Sequence, residues 1–128
     1  MIDNPAKRKG TWAWLLQRVT AVLIIVFLGT HIILAHFSNL DPATPEDDQL
    51  SYQSIEARLA MLPILFTDYA LLVTGIYHGL NGLRMVGFDF VVNRTKRRLM
   101  DGALWMVGIV AVIWGLAIFA PFLHILGY

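Results

Sequence analysis

Three long apolar stretches dominate the pattern of hydrophobic and polar positions along the chain. Residues 19–40 and 102–128 carry no charge, and residues 59–83 carry only Asp68. A helix needs about 20 mostly apolar residues to span the hydrocarbon core of a bilayer. The pattern therefore predicts an all-α fold, a three-transmembrane-helix bundle within a single membrane domain of residues 1–128. The predicted spans are about 13–37, 64–92 and 103–126.

The composition narrows the class of protein. Charged residues make up 15% of the chain and hydrophobic residues 57%, whereas soluble domains carry about 25% charged residues. This balance argues against a soluble enzyme, a nucleic-acid-binding protein and a disordered tail. The chain has no cysteine, so it supplies no disulfide, no zinc thiolate and no ligand to an iron–sulfur cluster. With 128 residues, we expect no separate catalytic domain.

The charges that flank the predicted spans alternate in sign. Residues 1–18 carry a net charge of +3, residues 38–62 a net charge of −4 and residues 93–101 a net charge of +3. Basic connections stay on the cytoplasmic side of a membrane. We therefore expect the N-terminus to be cytoplasmic and the C-terminus to be external.

Nine polar residues lie inside or near the predicted spans. An ionisable group at the centre of a bilayer costs about 2.5–3.5 kcal/mol on insertion scales, so such groups persist where they face protein, a cofactor or water. The deepest of the nine are His31 and His78. The full set is Arg18, His31, His36, Asp68, His78, Asn81, Arg84, Asp89 and His124.

The segment around His78 is rich in glycine. Gly75, Gly79 and Gly82 remove side chains from this region, which permits close approach of another helix or of a flat macrocycle. His78 therefore has two interpretations. It is an axial ligand of such a macrocycle, or it is a packing residue that is hydrogen-bonded across helices beside a small-residue contact at Gly75 and Gly79.

Charged residues follow His78 toward the cytoplasmic end of the second span. Arg84 lies about 9 Å away along a helix, which suits a haem propionate if iron binds His78, although an arginine extending to the headgroups fits equally. Asp89 falls on nearly the same helical face as His78. We expect Arg18 at the depth of Asp89, where the two form either an ion pair or a polar pocket for a lipid-soluble carrier.

Two more polar residues are expected toward the outer side. His31 lies about 20 Å beyond Arg18 and is either a hydrogen-bonded packing histidine or a ligand. Asp68 is expected in the first turn of the second helix, where a carboxylate suits the helix dipole. We assign Asp68 no chemistry.

Three segments together carry a family resemblance. They are Trp14–Thr20 (Trp-Leu-Leu-Gln-Arg-Val-Thr), His78–Arg84 (His-Gly-Leu-Asn-Gly-Leu-Arg) and the pair Asp89-Phe90. They resemble the hydrophobic membrane anchor subunit of succinate dehydrogenase, respiratory complex II. The likeness is greatest to the D-type cytochrome b subunit of bacterial succinate:quinone oxidoreductases, and it covers nearly the whole chain.

The resemblance implies haem b as a cofactor, one or two per complex and shared with a partner anchor subunit. His78 would be an axial ligand of the haem iron, with Arg84 near the same haem. Residues 28–37 resemble the first helix of the two-haem members. His31 would then be an axial ligand of a second haem.

The resemblance also implies a quinone as substrate. Arg18 and Asp89 would line or border the quinone site, and Trp14 would help to shape its mouth. The family commonly has Asp-Tyr where this chain has Asp89 followed by Phe90. Phenylalanine has no hydroxyl to donate to a quinone oxygen, so the hydrogen bond must come from elsewhere or the site must be arranged differently.

The implied partners are a flavoprotein subunit, an iron–sulfur subunit and a second hydrophobic anchor subunit of C type, at the bacterial cytoplasmic membrane. The chain would be a non-catalytic subunit of an oxidoreductase in electron transport and the tricarboxylic acid cycle.

One alternative is a haem-free structural anchor of a membrane dehydrogenase. A third interpretation, a small transporter or proton-conducting subunit, is disfavoured because the chain lacks the repeats typical of transporters.

Overall fold

The computed structural model describes residues 5–34 and 61–123 together with Ile55 and Leu59, and the side chains of residues 11–34 and 61–120. Three long helices account for nearly all of these residues, and no strand occurs among them. Helix α1 spans Pro5–Ile32, α2 spans Leu62–Phe90 and α3 spans Arg94–Leu123. The predicted all-α class is confirmed for this part of the chain.

The helices differ from the predicted spans mainly where basic residues flank them. Helix α1 begins eight residues before its predicted span and α3 begins nine residues before. Lysine and arginine favour helix, so the basic residues continue both helices past the apolar stretches. Helix α2 matches its span to within two residues at each end. Residues 35–37 and 124–126, and nearly all of the acidic connection, lie outside the described residues.

A short turn joins α2 to α3. Asn93 caps α3, because its Oδ1 accepts a hydrogen bond from the backbone N–H of Thr95 at 2.8 Å. Arg97 donates from Nη2 to the Phe88 carbonyl at 2.6 Å and from Nε to the Val91 carbonyl. The last carbonyls of a helix otherwise lack partners, so Arg97 ties the end of α2 to the start of α3.

Helix α2 packs against both α1 and α3. Its contact with α3 depends on two glycines of α3 that lie seven residues apart and hence on the same face. A Cβ atom at Gly108 would lie 2.7 Å from Leu80 Cδ1, and a Cβ atom at Gly115 would lie 2.5 Å from Leu72 Cδ2. Leucine side chains of α2 therefore fill the space that these glycines leave.

Most large apolar side chains of the described residues face outward. Among them only Ile64 and Leu65 are buried, at 5% and 2% exposure, whereas Ile25 is 72% exposed and Trp114 is 70% exposed. Helix α1 from residue 11 to 32 and α3 from residue 94 to 120 are long and apolar enough to cross a membrane. Apolar surface of this extent suits lipid or a partner chain rather than water.

Candidate functional site

The contact between α1 and α2 places His78 against two polar residues of α1. Thr20 Oγ1 lies 3.1 Å from His78 Nδ1, and Gln17 Nε2 lies 3.3 Å from His78 Nε2. Gln17 Nε2 also donates to the His78 carbonyl at 3.2 Å. Both imidazole nitrogens therefore have a partner within the chain.

Asn81 and a backbone carbonyl determine how the Gln17 amide is oriented. Asn81 Nδ2 donates to the Ala13 carbonyl at 3.2 Å and to Gln17 Oε1 at 2.7 Å. Because a carbonyl only accepts, the Gln17 oxygen faces Asn81 and the Gln17 nitrogen faces His78. His78 Nε2 must then accept a hydrogen bond from Gln17.

Thr20 determines the state of the other imidazole nitrogen. Its hydroxyl donates to the Leu16 carbonyl at 2.7 Å, so the Thr20 oxygen offers His78 a lone pair and not a proton. Nδ1 therefore carries the proton and donates to Thr20. These contacts match the tautomer with its proton at Nδ1 and a lone pair at Nε2, the form in which histidine binds a metal through Nε2.

Gln17, Thr20, His78 and Asn81 form a single cluster, the His78 cluster. Thr20 and Asn81 are each 7% exposed, whereas Gln17 and His78 are half-buried. A polar network with all its partners in place favours one arrangement over others. The cluster therefore holds the imidazole of His78 in one orientation.

The glycines near His78 do not form the helix contact that one interpretation of the sequence expects. The hydrogen bonds of His78 across helices that this interpretation expects are present. A Cβ atom at Gly75 or Gly79 would have no neighbour within 4 Å, so the expected small-residue contact does not occur among the described residues. A Cβ atom at Gly82 would instead lie 3.3 Å from Gln17 Nε2. No side chain of the described residues covers α2 at Gly75 and Gly79.

His31 forms a second histidine site with Asp68. His31 Nδ1 lies 2.6 Å from Asp68 Oδ1, and the two side chains are 35% and 11% exposed. The expectation that Asp68 lies in the first turn of α2 is wrong, because α2 begins at Leu62. Asp68 instead accepts a hydrogen bond across to α1, which leaves Nε2 as the nitrogen available to a further partner.

Arg84 lies on the side of α2 that faces α3. Its Nε donates to Asp101 Oδ1 at 2.5 Å, and its Cζ lies 4.8 Å from the centroid of the Phe88 ring. Six residues separate Arg84 from His78, which places the two about 120° apart around the helix. Arg84 therefore does not join the His78 cluster.

Arg18 and Asp89 are far apart, which contradicts the expectation of a shared depth. The hydrogen bonds of the His78 cluster put Arg18 level with His78, and Asp89 lies about 16 Å further along α2. Both residues are exposed, and no ion pair joins them. Arg18 Cζ instead lies 5.4 Å from the Trp14 ring centroid.

A mainly apolar groove of 510 Å³ lies between the three helices. Leu16 of α1, Tyr77 of α2 and Trp105 of α3 contribute to its walls, and the Arg84–Asp101 pair lies toward one end. His78 is not among the lining residues. The groove therefore borders the His78 cluster through Asn81, which lines it, while His78 itself does not face it.

A family comparison identifies the chain. Residues 5–125 match the family of the succinate dehydrogenase/fumarate reductase transmembrane subunit. The chain belongs to this family. The predicted resemblance to a succinate dehydrogenase membrane anchor is thereby confirmed over nearly the whole length.

Individual relatives of this anchor subunit agree with the family. A Mycobacterium tuberculosis protein named succinate dehydrogenase 2 membrane subunit SdhC is 28% identical over 105 residues, which are 81% of this chain and 70% of the relative. The Archaeoglobus fulgidus succinate dehydrogenase hydrophobic membrane anchor subunit is 28% identical over 105 residues, 81% of this chain and 83% of that protein. The Thermoplasma acidophilum protein of the same name is 24% identical over 115 residues, 90% and 89% of the two chains.

The comparisons leave the subtype of the anchor subunit open. The name of the mycobacterial relative carries the letter C, whereas the other two names specify neither type. The likeness to the D-type subunit therefore stays a prediction.

Sequence reasoning missed the residues that hold His78 in this anchor subunit. Gln17 and Thr20 belong to the segment that carries the resemblance, and Asn81 is one of the polar residues within the spans, but no role followed from either fact. A signal was available, because residues three apart on a helix lie on one face. Gln17 and Thr20 have that spacing, and so do His78 and Asn81.

Proposed function

We propose that this anchor subunit binds haem b and borders the quinone site of a succinate:quinone oxidoreductase. The observation that carries the proposal is the pair of contacts at His78, where Thr20 Oγ1 lies 3.1 Å from Nδ1 and Gln17 Nε2 lies 3.3 Å from Nε2; this arrangement matches the tautomer with its proton at Nδ1 and its lone pair at Nε2. Histidine serves as an axial ligand of haem iron in this form. The donor therefore fits haem, provided that the Gln17 amide moves away from Nε2.

Haem b would supply a one-electron carrier within the membrane. Thr20 holds the Nδ1 proton of His78 and so fixes the plane of the ring. Gly75 and Gly79 leave the nearby surface of α2 free of side chains. The second axial ligand would come from a partner anchor subunit.

His31 is the proposed ligand of a second haem. Asp68 accepts the Nδ1 proton of His31, and a carboxylate behind a histidine is a common arrangement at metal ligands, because it fixes the tautomer and raises the basicity of the ring. His31 lies 11 residues beyond Thr20 on α1, or about 16 Å. The two histidines would therefore serve two separate haems, one nearer each side of the membrane.

Arg84 remains the candidate partner of a haem propionate. Its guanidinium is already paired with Asp101. A propionate would therefore have to share Arg84 with Asp101 or displace that carboxylate, and Arg84 would have to reach around α2 from the face that contacts α3.

We assign the quinone-binding role to Arg18 and Trp14, with Asp89 at the border of the site. Trp14 is 50% exposed and packs against the guanidinium of Arg18, so the pair can contact a ligand held jointly with another subunit. Asp89 lies about 16 Å away along α2 and does not share the same contact. Phe90 is 81% exposed and offers no hydroxyl, so a quinone oxygen must take its hydrogen bond from another residue or subunit.

The chain would sit in the cytoplasmic membrane with three spans and a cytoplasmic N-terminus. The basic charges of residues 1–18 and 93–101 support this orientation. The flavoprotein and iron–sulfur subunits would dock on the cytoplasmic side, and a second anchor subunit would cover part of the apolar surface of α1 and α3.

The stoichiometry of the purified complex tests the proposal. We expect this chain to copurify with a flavoprotein, an iron–sulfur subunit and a second anchor subunit, with one or two haem b per complex. A complex that contains these subunits but no haem would contradict haem binding and support the haem-free anchor. A chain that functions without dehydrogenase partners would contradict the docking role and support the transporter.

Replacement of His31 decides between one haem and two. If His31 is a ligand, His31→Ala removes one haem of two and leaves the component that depends on His78. Haem content that is unchanged in His31→Ala would contradict the ligand role of His31 without affecting that of His78.

A further inference from the structure

We propose that Thr20 and Gln17 are positioning residues with different tasks at His78: Thr20 is a permanent anchor for Nδ1, and Gln17 is a displaceable cap on Nε2. The inference rests on the proposed ligation of haem iron by His78 and goes beyond it. Two residues of α1 would then orient the imidazole of His78 on α2.

Thr20 has the properties of a permanent anchor. It is 7% exposed, and its proton is committed to the Leu16 carbonyl at 2.7 Å, so its oxygen can only accept from His78. A ligand at Nε2 does not compete for this contact, because it occupies the opposite nitrogen. The hydrogen bond between His78 Nδ1 and Thr20 therefore persists when Nε2 is occupied.

Gln17 has the properties of a displaceable cap. Its amide nitrogen lies 3.3 Å from His78 Nε2, beyond the usual range of 2.7–3.2 Å, whereas its oxygen lies 2.7 Å from Asn81 Nδ2. Moving the nitrogen gives up this long contact and the 3.2 Å hydrogen bond to the His78 carbonyl, and a typical hydrogen bond contributes only about 1 kcal/mol net. The firm contact with Asn81 gives the Gln17 side chain a fixed pivot when its nitrogen moves.

Gly82 provides the space that the Gln17 amide occupies. A Cβ atom at Gly82 would lie 3.3 Å from Gln17 Nε2, which is a tight contact. The glycine thus permits the Gln17 amide to reach across to α2 beside His78 Nε2.

The reduction potential of the haem tests the role of Thr20 in the purified complex. Thr20→Val keeps the shape of the side chain and removes the acceptor at Nδ1, which makes the imidazole a weaker donor to ferric iron. We expect the midpoint potential of the His78 haem to rise and its low-spin EPR signal to shift at unchanged haem content. Thr20→Ser should restore both values, and Thr20→Ala should repeat the effect of Thr20→Val. A potential and an EPR signal that are the same in all four proteins would overturn the anchor role.

The rate of haem uptake tests the role of Gln17. Haem-depleted complex is mixed with haemin, and the growth of the low-spin absorbance is followed. Gln17→Leu and Gln17→Ala lack the amide, so we expect uptake to be several-fold faster than in wild type, with a midpoint potential close to the wild-type value. Equal or slower uptake in both variants would overturn the cap role.

The two ways to fail are distinguishable. If the wild-type complex holds no haem, or if His78→Ala retains all of it, the proposed function fails. If haem depends on His78 but the Thr20 and Gln17 variants match wild type, the proposed function stands and only the positioning roles fail.

Discussion

Both histidines within the described helices are fixed through Nδ1, but by different acceptors. A hydroxyl oxygen accepts from His78, and a carboxylate oxygen accepts from His31. Each contact joins α1 to α2 across the helix interface. These residues therefore contribute to packing whether or not a cofactor is bound.

The contact between His31 and Asp68 predicts an effect on stability. Asp68→Ala removes the acceptor from a pair that is 35% and 11% exposed and leaves His31 Nδ1 without its partner, which costs about 1 kcal/mol. Asp68→Asn keeps an oxygen acceptor and should lose less. The measurement is the thermal unfolding midpoint of the purified complex, and equal midpoints for Asp68→Ala and wild type would contradict the structural role of the pair.

At the scale of single residues, the sequence predicted which histidines are candidate ligands, but it did not predict which residues form hydrogen bonds with them. The depth of His78 and His31 in apolar stretches made them candidates, because ionisable groups there are costly. Their partners depend on the register between α1 and α2, which no pattern within one helix specifies. The error for Arg18 and Asp89 has this origin: α1 begins at Pro5, so Arg18 lies further into the helix than its place in the apolar stretch indicates.

At the scale of the helices, the apolar stretches predicted that three helices exist, but they did not predict where α1 and α3 begin. The basic residues at the start of α1 and α3 are good helix formers, so both helices continue past the apolar residues. The sequence also did not indicate which glycines contact a neighbouring helix. Gly108 and Gly115 meet leucines of α2, whereas Gly75 and Gly79 meet nothing in the described part of this chain.

Two identical substitutions in α3 should have opposite effects on stability. Gly115→Leu places a side chain where a Cβ alone would lie 2.5 Å from Leu72, so we expect a loss of about 1–3 kcal/mol from overpacking. Gly102→Leu adds the same side chain where a Cβ meets no atom within 4 Å and gains about 1 kcal/mol of helix propensity. Thermal unfolding of the two complexes measures the difference, and an equal loss in both would contradict the packing of α2 against α3.

At the scale of the whole molecule, the outward-facing apolar side chains fit a chain that lies in lipid among partner subunits. The sequence predicted the membrane class and the family resemblance, because both depend on residue types along the chain. It predicted the orientation only through charge, and the acidic connection lies almost entirely outside the described residues. Contacts with partner subunits also depend on the sequences of those subunits, so no pattern within this chain predicts them.

The absence of cysteine makes the orientation directly measurable. Thr95→Cys lies in the basic connection, and Ala43→Cys lies in the acidic one. We expect a membrane-impermeant thiol reagent, applied to intact cells, to modify this chain at position 43 and not at position 95, and in inverted vesicles the reverse. Labelling of position 95 from outside would contradict a cytoplasmic N-terminus.

The central claim is that His78 is an axial ligand of haem b, and the most direct test is the reduced-minus-oxidised absorbance difference of the purified complex. We expect a b-type difference spectrum in wild type, unchanged in the control variant His124→Ala, and its loss, or the loss of one component, in His78→Ala. A His78→Ala complex that assembles with its partner subunits and gives the full wild-type spectrum would contradict the account.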